Sequence, residues 1–415
     1  MKHVTVQLEN SLHTAPANGI IRSMRKTCIV VAAVFAAAVC AGESCPSPLS
    51  LWNDGAPAKA ALVEYVESVT RAGSPDFIPE EDRIAVFDLD GTLMLETAPT
   101  YFDWVMFLHR VLDDPTCHVT PEVLEIARKS RYDGMIPKLT PDRERIVAQA
   151  YKGMTISEFG DFVRRFMDEP QPGFTGMKRG EAFYLPMVEV VRYLSAHGFS
   201  VYVSSGSNRM IVRPLVARNL GLPAARVMGS DASIVASGQG DGEASWLYHE
   251  FDRADKLVLE GKSVLKNLQM NKVVLIIREI GAQPVLAFGN SFTDASMLNY
   301  TIIGNRYRAL GFMLCCDDLE REYGNMAKAE EMRKASERNG WILVSMRDDW
   351  KTIYGDKVKK CPSSLRLPLV SPSWAESRTA ASHRRATGKN LLAQVLGHVE
   401  VVVGGLVAKA AVRPH

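Results

Sequence analysis

Ile84-Ala85-Val86-Phe87 runs without a break into Asp88-Leu89-Asp90-Gly91-Thr92-Leu93. Four apolar residues after Arg83 read as a short buried strand, and the polar cluster follows at its carboxyl end. In open α/β sheets that end is where ligands bind, because the loops there converge on the crevice outside the strands. Two carboxylates one residue apart reach the same crevice only if the strand has ended and the backbone turns, which Gly91 permits. Such a pair suits phosphoryl transfer: one carboxylate attacks phosphorus, while the other protonates the leaving alkoxide and then activates water. Negative charge crowded against an anionic substrate calls for a cation, and Mg2+ with oxygen ligands is the natural one.

Outward from this stretch, residues 58–72 carry Leu62, Val63, Val66 and Val69 at helical spacing. Downstream, residues 96–180 hold helical patterns with polar starts at Thr120-Pro121, Thr140-Pro141 and Thr155 with Glu158. Phe159, Phe162, Val163 and Phe166 form one apolar face there, and the stretch reads as an all-helical cap inserted over the site. An α/β rhythm then resumes. A helix through Met187, Val190, Val191 and Leu194 stops at Gly198, and a strand spans 199–203. A helix is expected around Leu265 and Leu268, then strands at 284–288 and 342–344. The prediction is an α/β fold with a doubly wound, mostly parallel sheet, its core in 50–95 and 181–356 and its cap in 96–180.

The 415 residues, 47% hydrophobic and 23% charged, are those of an ordinary folded protein able to bury a sizeable core. A net charge of +2, with one basic run at residues 378–389, does not point to nucleic acid. Residues 28–41 are an apolar run behind Arg22, Arg25 and Lys26, too short to span a bilayer, and they read as an export signal within 24–41. Residues 1–23 do not suit a signal peptide, so translation is expected to start at Met24. An exported, periplasmic or secreted location follows, with lipidation of Cys40 or Cys45 as the alternative. The cysteines match no zinc or redox spacing. Residues 361–415 read as a tail whose internal charges argue against a stable span.

Three further clusters complete a pattern. Val201-Tyr202-Val203-Ser204-Ser205-Gly206-Ser207 is a strand ending in hydroxyls, Lys262 follows Gly261, and Val285-Leu286-Ala287-Phe288-Gly289-Asn290-Ser291-Phe292-Thr293-Asp294 is a strand ending in an acidic turn. Together with Asp88-Leu89-Asp90-Gly91-Thr92 they resemble the four motifs of the haloacid dehalogenase superfamily. Asn53-Asp54-Gly55, Arg213-Pro214, Glu320-Arg321-Glu322-Tyr323, Gly340-Trp341 and Asp349-Trp350 are similar to an exported, phosphoserine-phosphatase-like branch of it. The resemblance implies a Rossmann-like core, Mg2+, and catalysis by Asp88 as nucleophile and Asp90 as acid and base. It implies phosphate binding by Thr92, Ser205 (with Ser204 in reserve), Gly206 and Lys262, for which Lys256 and Lys266 compete. It implies metal ligation by Asp88, Asp90, Asn290 and Asp294, although Asn290 departs from the commoner Asp. The expected activity is hydrolysis of a small phosphomonoester through an aspartyl phosphate. A phosphomutase, or a silent binding protein of the same fold, is the alternative.

Overall fold

The computed structural model describes residues 48–96, 101–133, 136–242 and 244–362. The expected export signal, Cys40, Cys45 and nearly all of the expected tail lie outside them. The chain divides between Ser50 and Leu51, and the part from Leu51 onward carries the fold. Helix α1, Pro57–Thr70, begins with proline in its first turn, where no amide hydrogen bond is lost. It leads to β1, Ile84–Phe87, buried along its whole length.

Helices α2 (Phe102–Leu112), α3 (Pro121–Asp133), α4 (Pro141–Gln149) and α5 (Ile156–Met167) follow. The Thr155 hydroxyl accepts from the Glu158 amide while the Glu158 carboxylate accepts from the Thr155 amide, so α5 starts with two of its free amides satisfied. Phe166 of α5 meets Phe102 of α2 edge to face at 5.2 Å, which ties the inserted helices to one another. The end of the expected all-helical stretch differs. Phe174–Thr175 forms β2, which pairs antiparallel with β9, Lys359–Lys360.

The chain continues through α6 (Leu185–Ala196), β3 (Ser200–Asn208), α7 (Arg209–Leu220), β4 (Val227–Ala236), α8 (Ser245–Tyr248) and β5 (Leu257–Leu265). Then come α9 (Met270–Glu279), β6 (Leu286–Gly289), α10 (Ala295–Ile302), β7 (Leu310–Cys315), α11 (Met326–Asn339) and β8 (Ile342–Ser345). Seven strands make one sheet in the order β5-β4-β3-β1-β6-β7-β8. All neighbours are parallel except β4 and β5. This is the expected doubly wound, mostly parallel α/β sheet, with an antiparallel edge added.

Central β1 pairs with β3 on one side and β6 on the other, so the connections leave it in opposite directions and a crevice opens at its carboxyl end. Beneath the crevice, the rings of Phe87, Phe288 and Phe312 stack across β1, β6 and β7 at 4.2 and 4.7 Å. The expected helix around Leu265 and Leu268 is a correction. Residues 257–265 are the edge strand β5, registered against β4 through Ile234 with Leu259 and Ala232 with Ser263, and the next helix begins at Met270.

Candidate active site

Three neighbouring strands deliver the site. Asp88 follows β1, its amide hydrogen-bonded to the Phe288 carbonyl of β6. Gly91 then turns the chain with φ +81°, and a Cβ there would lie 1.8 Å from Asn290 Nδ2 and 2.8 Å from Glu96 Oε2. Glycine is therefore required twice, for the left-handed turn and for the close approach of both side chains.

Asp88 is nearly buried. Its Oδ1 accepts from Lys272 Nζ at 2.6 Å and its Oδ2 accepts from the Thr92 hydroxyl at 3.3 Å. Lys272 Nζ also donates to Asp294 Oδ1 at 2.6 Å and to the Ser204 carbonyl at 2.8 Å. The ammonium has three hydrogens and three acceptors, so its complete burial leaves no donor unpaired. The two carboxylates beside it hold its pKa up at about 12 against the opposing effect of burial. Burial raises the Asp88 carboxyl to about 7, with the Asp294 charge adding and Lys272 opposing.

Asp90 lies in different surroundings. Its Oδ2 accepts from Ser207 Oγ at 2.9 Å and Ser205 Oγ at 3.3 Å, while its Oδ1 is buried without a hydrogen-bond partner. Burial, with Asp103 and Asp88 nearby, pushes its carboxyl well above the usual range. One carboxyl anchored to an ammonium and one favouring its proton is the separation that nucleophile and acid roles need.

Above these groups opens a cavity of about 260 Å³. Asp88, Asp90, Gly206, Ser207, Asn290, Ser291 and Thr293 line it from the sheet, and Tyr101, Asp103, Trp104, Leu139, Arg143 and Val147 line it from the inserted segment. Tyr101 and Trp104 thus face the cavity. Of the residues predicted for the site, Asp88, Asp90, Gly206 and Asn290 reach it, as does Lys266, one of the competitors for the phosphate-binding lysine, ion-paired there with Glu144. Thr92 and Ser205 are wholly buried beneath it, bonded to the two aspartates.

Lys262 is a correction. It lies on edge strand β5, its side chain 66% exposed and ion-paired with Glu260, because the antiparallel register of residues 257–265 turns it to solvent. Lys272 takes the position against Asp88 instead. Gln269, at φ 54°, brings α9 in: its amide donates to the Thr293 carbonyl at 2.9 Å and its side chain to the Phe292 carbonyl at 2.9 Å. A signal for Lys272 existed, since it precedes Val273 and lies four residues before Ile276, on the buried face of α9.

Asp294 also differs from its expected place. Lys272 takes Oδ1, and Oδ2 accepts from the amides of Asn290 and Ser291 and from Ser291 Oγ, each at 3.1 Å. Its two oxygens thus accept four hydrogen bonds, one from the lysine and three from the turn. Glu96, at the start of the inserted segment, is 7% exposed and lines the cavity. It accepts from Asn290 Nδ2 at 3.0 Å, from Tyr101 Oη at 2.9 Å and from Lys328 Nζ at 2.7 and 3.0 Å.

The remaining donors fit a hard cation. They are the Asp88 carboxylate and the Asn290 amide oxygen, left over once Nδ2 is given to Glu96, while the unpartnered Asp90 Oδ1 is the oxygen left to carry a proton. No group of three or more His, Cys, Asp or Glu among the described residues forms a cage for a metal. Mg2+ does not need one, because it keeps several waters and takes only one or two carboxylates.

A carboxylate pair at the switch point of an open sheet, roofed by helices inserted after the first strand, defines an α/β enzyme fold with a strand-end acidic site. The haloacid dehalogenase-like hydrolase family matches residues 85–299, more than half of the chain, and the chain belongs to that family. Among curated proteins none matches it. Solved structures similar to it include a protein of unknown function from Bordetella pertussis Tohama I, 17% identical with a TM-score of 0.41, covering 63% of this chain and 97% of that one. A conserved, functionally unknown protein from Anaerococcus prevotii DSM 20548 is 14% identical with a TM-score of 0.44, covering 69% and 91%. A phosphoserine phosphohydrolase-like protein from Francisella tularensis subsp. tularensis SCHU S4 is 15% identical with a TM-score of 0.33, covering 63% and 94%.

Proposed function

We propose that the chain is a Mg2+-dependent phosphomonoester hydrolase that works through an aspartyl phosphate on Asp88. The observation that carries this reading is the unlike pair at the end of β1: Asp88 Oδ1 anchored by Lys272, and Asp90 with a raised pKa and an unpartnered oxygen in the same cavity. Asp88 Oδ2, which accepts the 3.3 Å bond from Thr92 and is not taken by Lys272, is the oxygen left to attack phosphorus. As the P–O bond to the leaving group breaks, Asp90 gives that oxygen its proton and the alcohol departs. Asp90, now a carboxylate, takes a proton from water, which attacks the aspartyl phosphate; inorganic phosphate leaves and Asp88 is restored. Gly206 and Ser207 line the cavity beside Asp90, and the buried Lys272 charge sits against Asp88. When bound, a divalent cation would supply the positive charge that lets a phosphate dianion approach Asp88, and Asp88 and Asn290 are the residues whose side chains would hold it while Asp90 keeps its proton for the leaving group.

The test is release of inorganic phosphate from p-nitrophenyl phosphate with Mg2+, with EDTA, and with Asp88→Asn. The expected result is turnover that EDTA abolishes and that falls by roughly 10³-fold or more in the variant. Turnover that requires a bisphosphate activator would mark a mutase, and none with any ester or metal would mark a silent binding protein. Export is proposed on residues 28–41, with cleavage after Ala41. N-terminal sequencing of protein recovered from the cell envelope and medium checks it, and a mature chain still beginning upstream of residue 28 would refute it.

A further inference from the structure

Position 290 holds a neutral Asn where an Asp is commoner, so the strand ends carry one formal negative charge fewer beside the cation position. Asp88 and Asp294 share the single ammonium of Lys272, and Asp294 has both oxygens committed. Asn290, which reaches over the Gly91 turn beside Asp88, is neutral. One further carboxylate meets that turn. Glu96 Oε2 and Asn290 Nδ2 converge on the same side of Gly91, 2.8 and 1.8 Å from where a Cβ would stand, and are 3.0 Å from each other.

Both line the cavity that Asp88 and Asp90 line, and into that cavity's floor the buried Asp90, 8% exposed, brings an oxygen with no partner. Glu96 is itself almost completely buried, which is costly for a carboxylate unless a cation pairs with it. Lys328 fills that need, reaching both oxygens from the first turn of α11.

We propose that Glu96 supplies the anionic charge that Asn290 lacks beside the cation position, with Lys328 as the counter-ion that holds it there until the cation arrives. The proposal rests on the cation-dependent reading above. It assigns to Glu96 an electrostatic part in metal affinity, and to Lys328 a competing one. Glu96 then faces the cation or the ammonium, and the two positive charges oppose one another.

Direct binding of Mn2+ to the full chain, followed by loss of the free-ion electron paramagnetic resonance signal, tests this without any turnover. Glu96→Gln should weaken Mn2+ binding at least tenfold, and Asn290→Asp added to Glu96→Gln should restore it to within about threefold, since the charge is moved by one hydrogen bond. Lys328→Met should tighten binding severalfold and enlarge the rise in melting temperature that Mn2+ produces. A merely structural ion pair would leave Mn2+ affinity unmoved in Lys328→Met, and that result overturns the proposal even if Glu96→Gln fails to fold. Equal Mn2+ affinity in wild type and folded Glu96→Gln overturns it alone, leaving phosphatase activity to stand on the Asp88→Asn comparison. A wild type that binds no Mn2+ overturns it together with the cation reading.

Discussion

At Lys272 every ammonium hydrogen has an acceptor, and two of the three acceptors are carboxylates that would otherwise face each other in a dry interior. Removing the lysine strands both charges, and breaking a buried pair in this way costs about 3–5 kcal/mol. Lys272→Met should therefore lose stability of that order in urea denaturation and lose phosphate release as well. Lys262→Met is the control. Its exposed pair with Glu260 contributes at most a fraction of a kcal/mol, so both measurements should stay near wild type. A wild-type Lys272→Met, or an inactive Lys262→Met, would reverse the assignment made from geometry.

Between β7 and α11 the chain docks through Glu322. Its Oε1 accepts from the Tyr323 amide at 2.6 Å and its Oε2 accepts from the Tyr354 hydroxyl. The neighbouring Tyr323 and Tyr354 rings both meet Phe174 of β2 edge to face. Burial raises the Glu322 carboxyl from 4.5 to about 7. Between those values the unfolded chain has released this proton and the folded chain retains it, so folding is progressively disfavoured as pH rises. The contribution is fully present below about 4.5 and is lost by about pH 7, at about 1.4 kcal/mol for each pH unit of the window. Glu322→Gln should flatten that part of the stability profile. Urea midpoints at pH 5 and pH 7.5 for both proteins measure it, and parallel profiles would refute it.

Across the whole molecule, the start of the described core is closed against its end. Trp52 meets Trp350 edge to face at 5.9 Å and donates from Nε1 to the Pro186 carbonyl at 3.1 Å. The Asn53 amide donates to the Asp349 carbonyl and the Lys351 amide to the Leu51 carbonyl. Trp52 is 1% exposed, so Trp52→Ala should cost about 3–5 kcal/mol. Its site lies in this closure and touches none of the cavity, so turnover measured well below the melting temperature should be retained. Inactivation of still-folded Trp52→Ala would show that the closure also sets the site.

The α/β fold and the strand-end carboxylates were legible in sequence because their signals are contiguous. An apolar run sits beside its own polar cluster at β1, β3 and β6, and helical periodicity needs only a few turns to declare itself. The β4–β5 hairpin was not legible, because residues 257–265 mix Gly, Lys and Ser with their apolar positions and take strand form from pairing with β4. That pairing exposes Lys262. Lys272, though on the apolar face of α9, is selected only because the fold brings its ammonium to Asp88 and to the Ser204 carbonyl. The Glu96–Lys328 pair joins residues 232 apart in the chain, and Lys272 with Asp88 joins residues 184 apart. Local pattern thus determined which strand ends carry acids; tertiary packing alone decided which cations meet them, because a buried charge is placed by whatever distant partner can neutralise it.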